Sequence, residues 1–197
     1  MYDREMNDTL VWSEDPLIKG QPEGSLGNFV ADCVLDRARE YYNTKGTRAD
    51  LVLLNNGGLR VSLPKGAITK GKIFELMPFD NEMVLTEISG KKMTEMLNFV
   101  ADKGGMPIAG LRMEIDKNKN ATNISINQLP LDTNKIYGVV SSDYLVQGGD
   151  NIQFFKEGKK YYSKLLIRDI LIDYCRKTGM ARKKLTATTD GRISIPK

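Results

Sequence analysis

Three short loops in this chain of 197 residues carry side chains suited to holding a small, flat, polar ligand. The first, Asn55-Asn56-Gly57-Gly58-Leu59-Arg60, pairs an amide that both donates and accepts with a guanidinium that can fork onto an anion. Between them, Gly57 and Gly58 let the backbone approach a ligand closely or take positive φ. The second loop, Pro78-Phe79-Asp80-Asn81, sets an aromatic ring outside any amphipathic period, where it can act as an exposed platform or fill the core. The third, Tyr144-Leu145-Val146-Gln147-Gly148-Gly149-Asp150, combines a second aromatic with a carboxylate beside two glycines. Such a carboxylate can accept two hydroxyl hydrogen bonds, as from a ribose. Each loop alone is a common turn; the convergence of three points to a shared site.

Other chemistries are excluded or unsupported. The chain has no histidine, so Ser-His and Cys-His pairs and the usual histidine-bearing hydrolytic metal sites cannot be built from it. The glycine loop at Asn55 lacks the Gly-Lys-Ser/Thr end of a phosphate-binding P-loop. Asp116-Lys117-Asn118-Lys119-Asn120 starts like a calcium loop, but Ala121 replaces the needed glycine and Asn127 the terminal glutamate, which leaves a hairpin turn. No cluster of carboxylates is dense enough for an all-oxygen two-metal centre.

The loops must be positioned by regular elements, and hydrophobic period supplies these. Leu26, Phe29, Val30, Cys33, Val34 and Tyr41 recur at helical spacing, with Ser25 as the expected cap and Gly46 beyond the end. Leu51 to Leu54 reads as a buried strand running into the first loop. A short helical turn after Gly66 to Thr69, a strand from Met83 to Ile88 and a helix capped by Ser89 follow. Leu111/Met113/Ile115 and Ile124/Ser125/Ile126 form a hairpin, Ile136 to Val140 a strand into the third loop. The last helix is expected from Ser163 to Lys177, stopped by Gly179, with a closing strand at Arg192 to Ile195. Residues 1–22 show no sustained period and read as an extended arm on the edge of one α+β domain, residues 23–197, of mixed sheets with packed helices.

Composition agrees with one soluble globular domain, at 41% hydrophobic and 27% charged residues. A chain of this length buries roughly 70% of its unfolded surface and needs neither metal nor disulfide. Cys33 and Cys175 therefore read as buried small apolar residues. No apolar run approaches a membrane span, and Met1 to Trp12 does not read as a signal peptide. Lys156 to Lys184 holds ten Lys/Arg against three Asp/Glu, a pattern expected to form a solvated face rather than a nucleic-acid patch.

Taken in order, these segments resemble the C-terminal domain of the 5′-nucleotidase and UDP-sugar hydrolase family. The resemblance covers roughly Glu23 to Phe155. It rests on Glu23-Gly24-Ser25-Leu26-Gly27-Asn28-Phe29, Asn55 to Arg60, Gly66-Ala67-Ile68-Thr69, Pro78 to Asn81 and Tyr144 to Asp150. It implies a domain that binds the nucleoside part of a nucleotide, while a separate metallophosphatase domain or subunit, carrying divalent metals, hydrolyses the phosphate ester. Phe79 and Tyr144 would sandwich the base, Asn55 would bond its edge, and Asp150 would accept the ribose hydroxyls. Arg60 would reach the phosphate or ribose side and Asn81 the base or ribose, with Gly57, Gly58, Gly148 and Gly149 shaping the loops. The resemblance implies no catalytic residue, metal ligand or cofactor in this chain, and an exported protein, periplasmic or on the cell surface, whose leader lies outside it.

The chain also departs from the family pattern. Asn56 stands where a third glycine is usual, Leu59 replaces isoleucine, Asp80 replaces a frequent glycine, Tyr144 a phenylalanine and Asn151 a glycine. The phosphate-binding arginine that some members carry has no counterpart near Pro22. A stand-alone ligand-binding or interaction module that kept the fold without the nucleotidase role is the alternative.

Overall fold

Runs of apolar residues that do not alternate need apolar cover on both faces of their sheet. Leu51-Val52-Leu53 and the Val139-Val140 pair are such runs, and they lie side by side in parallel. In the computed structural model, which describes residues 5–196, they belong to a five-stranded sheet. The strands are β1 (Thr9–Ser13), β2 (Leu51–Leu53), β3 (Gly66–Thr69), β4 (Glu82–Ser89), β5 (Ile108–Ala109), β6 (Leu111–Ile115), β7 (Ala121–Ile126), β8 (Leu129–Pro130), β9 (Ile136–Ser142), β10 (Lys160–Leu166), β11 (Lys184–Leu185) and β12 (Ile193–Ser194). The helices are α1 (Ser25–Asn43), α2 (Lys70–Leu76), α3 (Gly90–Asp102), α4 (Asp143–Val146) and α5 (Ile167–Met180).

The central sheet has the order β10-β4-β9-β2-β5. On one face Val52, Leu54, Leu85 and Val140 join α1, α5 and β1 in a single apolar cluster. On the other, Leu51, Leu53, Val84 and Val139 meet Met93, Met96, Leu97 and Val100 of α3, with Phe154 and Phe155 closing the side. Two smaller sheets, β11-β1-β3 and β12-β6-β7-β8, flank it. The architecture is the expected α+β domain with mixed sheets and packed helices.

Strand direction brings the three loops together. β2 runs parallel to β9, so their C-terminal ends point the same way, and both lead into loops. β4 runs antiparallel to β9 with Met83 opposite Ser142, which puts the start of β4 at that same end. The loop after β2, the loop before β4 and the loop after β9 therefore emerge from adjacent strands at one edge.

Several elements follow the sequence pattern closely. Ser89 caps α3 by accepting from the Lys92 N–H at 3.3 Å, and the helix buries Met93, Met96, Leu97 and Val100. The β6–β7 hairpin turns at Asp116, whose Oδ1 accepts from the Asn118 and Asn120 N–H groups at 2.8 and 2.7 Å. Those bonds hold its carboxyl below the usual carboxylate range. Both cysteines are buried free thiols, and burial pushes Cys33 well up and Cys175 to about 12.

Others differ. Ser25 is the first residue of α1 rather than its cap; Gly24 holds the cap position, and the Ser25 hydroxyl accepts from the Ile18 N–H at 3.0 Å. The segment from Ser163 to Leu166 is strand, not helix. β10 carries a bulge between Tyr162 and Leu166, with Lys164 at φ 61°, which breaks the alternation that marks a strand. Nor does Gly179 stop α5, which runs to Met180. A Cβ at Gly179 would fall 2.0 Å from the Leu10 carbonyl, so the glycine serves a close approach to β1. The lead-in goes further than an edge position: β1 is the middle strand of its sheet, and Leu10, Val11 and Leu17 belong to the core. Met1 to Arg4 lie outside the described residues.

Candidate functional site

The loops close on one cleft of about 350 Å³ lined by Asn55, Gly57, Gly58, Arg60, Phe79, Asn81, Tyr144 and Asp150. All eight are residues singled out from sequence. Phe79 and Tyr144 leave 44% and 46% of their surface exposed, which keeps ring surface available to a ligand. Asn55, by contrast, is nearly buried at the floor.

Polar contacts tie the first and third loops together. Asn55 Nδ2 donates to Asp150 Oδ2 at 3.1 Å, and the Tyr144 hydroxyl donates to Asp150 Oδ1 at 2.9 Å. Asp150 sits in the left-handed region at φ 54°, ψ 23°, a conformation that aspartate tolerates better than most residues. Gly148 and Gly149 do not line the cleft wall. Gly148 turns the chain at φ 101°. At Gly149 a Cβ would fall 2.5 Å from Tyr144 Cε1 and 2.6 Å from Cζ, so the absent side chain is what seats the ring.

The second loop is held from an element that sequence reading did not connect with the site. Arg168, near the start of α5, is buried, although it belongs to the run expected to form a solvated face. Its guanidinium pairs with Asp80 and donates to the carbonyls of Met77 and Phe79, each at 3.4 Å. It also stacks over the Phe74 ring, 4.2 Å from the centroid. Asp143 links the second loop to the third, its Oδ1 accepting from the Glu82 and Tyr144 N–H groups at 3.0 and 2.9 Å. A Ser-Asp pair opening a helix is a readable capping signal, and Ser142 caps α4. No sequence signal joins Arg168 to Asp80 across 88 positions.

Arg60 stands exposed at the cleft mouth, 6.0 Å from the centroid of the Phe79 ring. Among the described residues no carboxylate lies within ion-pair distance of it. The cleft thus offers two aromatic rings, an amide, a carboxylate and a cation that donates to the Gly57 carbonyl at 3.5 Å but has no ion pair among the described residues. Among the described residues no group of three His, Cys, Asp or Glu is placed to hold a metal ion, so the cleft residues do not fit a hydrolytic metal centre.

A larger cleft of about 550 Å³ lies between α1 and the β6–β7 hairpin. Two of its three carboxylates are spent on one arginine; the third, Asp36, has no ion pair among the described residues. Arg192 donates to Asp32 at 2.7 and 3.0 Å, to Asp190 at 3.1 and 3.0 Å and to the Ile108 carbonyl at 2.9 Å. Its hydrogen bonds hold the Asp190 carboxyl below the usual carboxylate range.

The model of the 5′-nucleotidase C-terminal domain matches residues 15–157, which hold all three loops. The chain belongs to this family. It is 27% identical over 187 residues to the trifunctional nucleotide phosphoesterase protein YfkN of Bacillus subtilis, covering 87% of this chain and 12% of that protein. It is also 27% identical over 186 residues to the cell wall protein Lmo0130 of Listeria monocytogenes, 86% of this chain and 23% of that one. The crystal structure of the 5′-nucleotidase precursor from Thermus thermophilus superposes with a TM-score of 0.85 at 26% identity, over 98% of this chain and 40% of that one. The chain therefore spans well under half the length of these relatives. As a 5′-nucleotidase C-terminal domain, it shares the fold of the Thermus structure along nearly its whole length.

Proposed function

We propose that this 5′-nucleotidase C-terminal domain is the nucleoside-recognition part of a phosphoester hydrolase whose metal-bearing catalytic part is a separate domain or subunit. The observation that carries the reading is the meeting of two half-exposed rings, Phe79 and Tyr144, with Asn55, Asn81 and Asp150 in one cleft. A base between the rings would gain about 1–3 kcal/mol from stacking at each. Asn55 and Asn81 would bond its edge or the sugar, Asp150 would accept ribose hydroxyls, and Arg60 at the mouth would meet the phosphate. Divalent metals would be supplied by the catalytic part. The cell wall relative supports an exported setting, periplasmic or on the cell surface.

Titration calorimetry with adenosine and AMP, paired with a phosphate-release assay in manganese or magnesium, tests the reading. Expected is measurable binding with no hydrolysis by the pure chain. Metal-dependent phosphate release, or no binding of either compound, overturns it; the second result favours a module that kept the fold alone.

A further inference from the structure

Stacking needs only a ring face, yet the ring at position 144 carries a hydroxyl, and the structure shows where it goes. The Tyr144 Oη donates to Asp150 Oδ1 at 2.9 Å and accepts from the Asp150 backbone N–H at 3.3 Å. These two bonds close a ring between a side chain and the residue six positions on, joining platform and carboxylate into one unit. The same pair holds Asp150 in its left-handed conformation, which would otherwise leave the N–H without that acceptor. Asn55 Nδ2 takes the other oxygen, Oδ2, at 3.1 Å.

An ionised carboxylate has about four lone-pair positions, two on each oxygen. Here each oxygen is engaged by one protein donor, and one acceptor position is left on each. Two neighbouring positions on a fixed carboxylate match two neighbouring hydroxyls. Because the carboxylate is tethered to the ring, those positions lie at a set offset from the stacking surface. We propose that the Tyr144 hydroxyl is a specificity-determining group, making the cleft select flat rings that carry a vicinal diol over flat rings that lack one. The proposal rests on the nucleoside reading above and assigns the hydroxyl a role separate from that of the ring.

The test is titration calorimetry of the full chain with adenosine and 2′,3′-dideoxyadenosine, in the wild type and Tyr144→Phe. The wild type is expected to prefer adenosine. Tyr144→Phe keeps the ring, so dideoxyadenosine binding stays within about twofold, while adenosine binding falls more than about tenfold, the lower end of the worth of one hydrogen bond to a charged group. Retained dideoxyadenosine binding also shows that the variant is folded. Equal loss for both ligands, no loss for either, or a wild type without preference overturns the proposal. Phe79→Ala separates it from the sandwich reading: there both ligands should weaken alike, and unchanged affinity for both overturns the sandwich, and the proposal with it.

Discussion

Two clefts of this domain are lined by charged and amide side chains: one of about 550 Å³ between α1 and the β6–β7 hairpin, the other of about 350 Å³ at the end of the central sheet. In the larger, Arg192 donates to two carboxylates and a carbonyl, which leaves Asp36 as the one lining carboxylate without an ion pair among the described residues. In the smaller, two rings are half-exposed, Arg60 has no ion pair among the described residues and Asp150 keeps part of its accepting capacity. Size does not separate the two. What separates them is that the smaller cleft offers two half-exposed rings and, among the described residues, an arginine without an ion pair, whereas Arg192 of the larger is already held by its own carboxylates.

The contrast can be broken at Arg192. Its guanidinium is mostly buried, so Arg192→Met strands two carboxylates and a carbonyl and should cost about 3 kcal/mol of unfolding free energy, the lower end for a broken buried pair because Asp32 and Asp190 are partly solvated. Adenosine affinity should not change. Urea denaturation beside calorimetry checks both, and a loss of binding would show that the larger cleft is not purely structural.

Arg168→Met sharpens the comparison from the other side. The lost bonds to Asp80 and to the Met77 and Phe79 carbonyls should cost about 1–2 kcal/mol in stability. Adenosine binding should weaken about fivefold, since the Phe79 platform loses its anchor. Full affinity in a destabilised variant would mean that Asp143 and the β4 backbone hold the loop unaided.

The smallest effect concerns acid. Arg192 lowers the Asp190 carboxyl in the folded state, so its stabilising share is complete above the unfolded value of about 4 and is lost as pH falls through the folded one. Thermal melts from neutral pH down to about pH 2 should show part of the wild-type decline below pH 4 missing in Arg192→Met. Parallel curves for the two proteins would place the acid sensitivity elsewhere.

Much of this was legible in the residues. The period of α1 and α3, the unbroken apolar runs of β2 and β9, and the turn at Asp116 each carry a local signal, and the three glycine- or proline-marked loops named the cleft wall. What escaped was non-local or masked. The bulge at Lys164 hid β10 inside an apparent helix, and the short, bulged β1 has no period long enough to read. Arg168 looked like one more surface cation, because its burial depends on Asp80 and two carbonyls that only the tertiary fold brings near. Gly149, expected only to shape its loop, does so by leaving room for the Tyr144 ring, a contact that no local pattern signals.

The family match ends at residue 157, before β10 and α5 begin. Every side chain on the cleft wall lies inside that boundary, and the guanidinium steadying one wall lies outside it. Excision at the boundary would therefore retain the recognisable signature while removing an outer strand of the central sheet, the last helix and the support of Phe79. Anyone grafting this pocket onto another protein has to carry the tail along, because the unit that can be transplanted is longer than the unit that can be recognised.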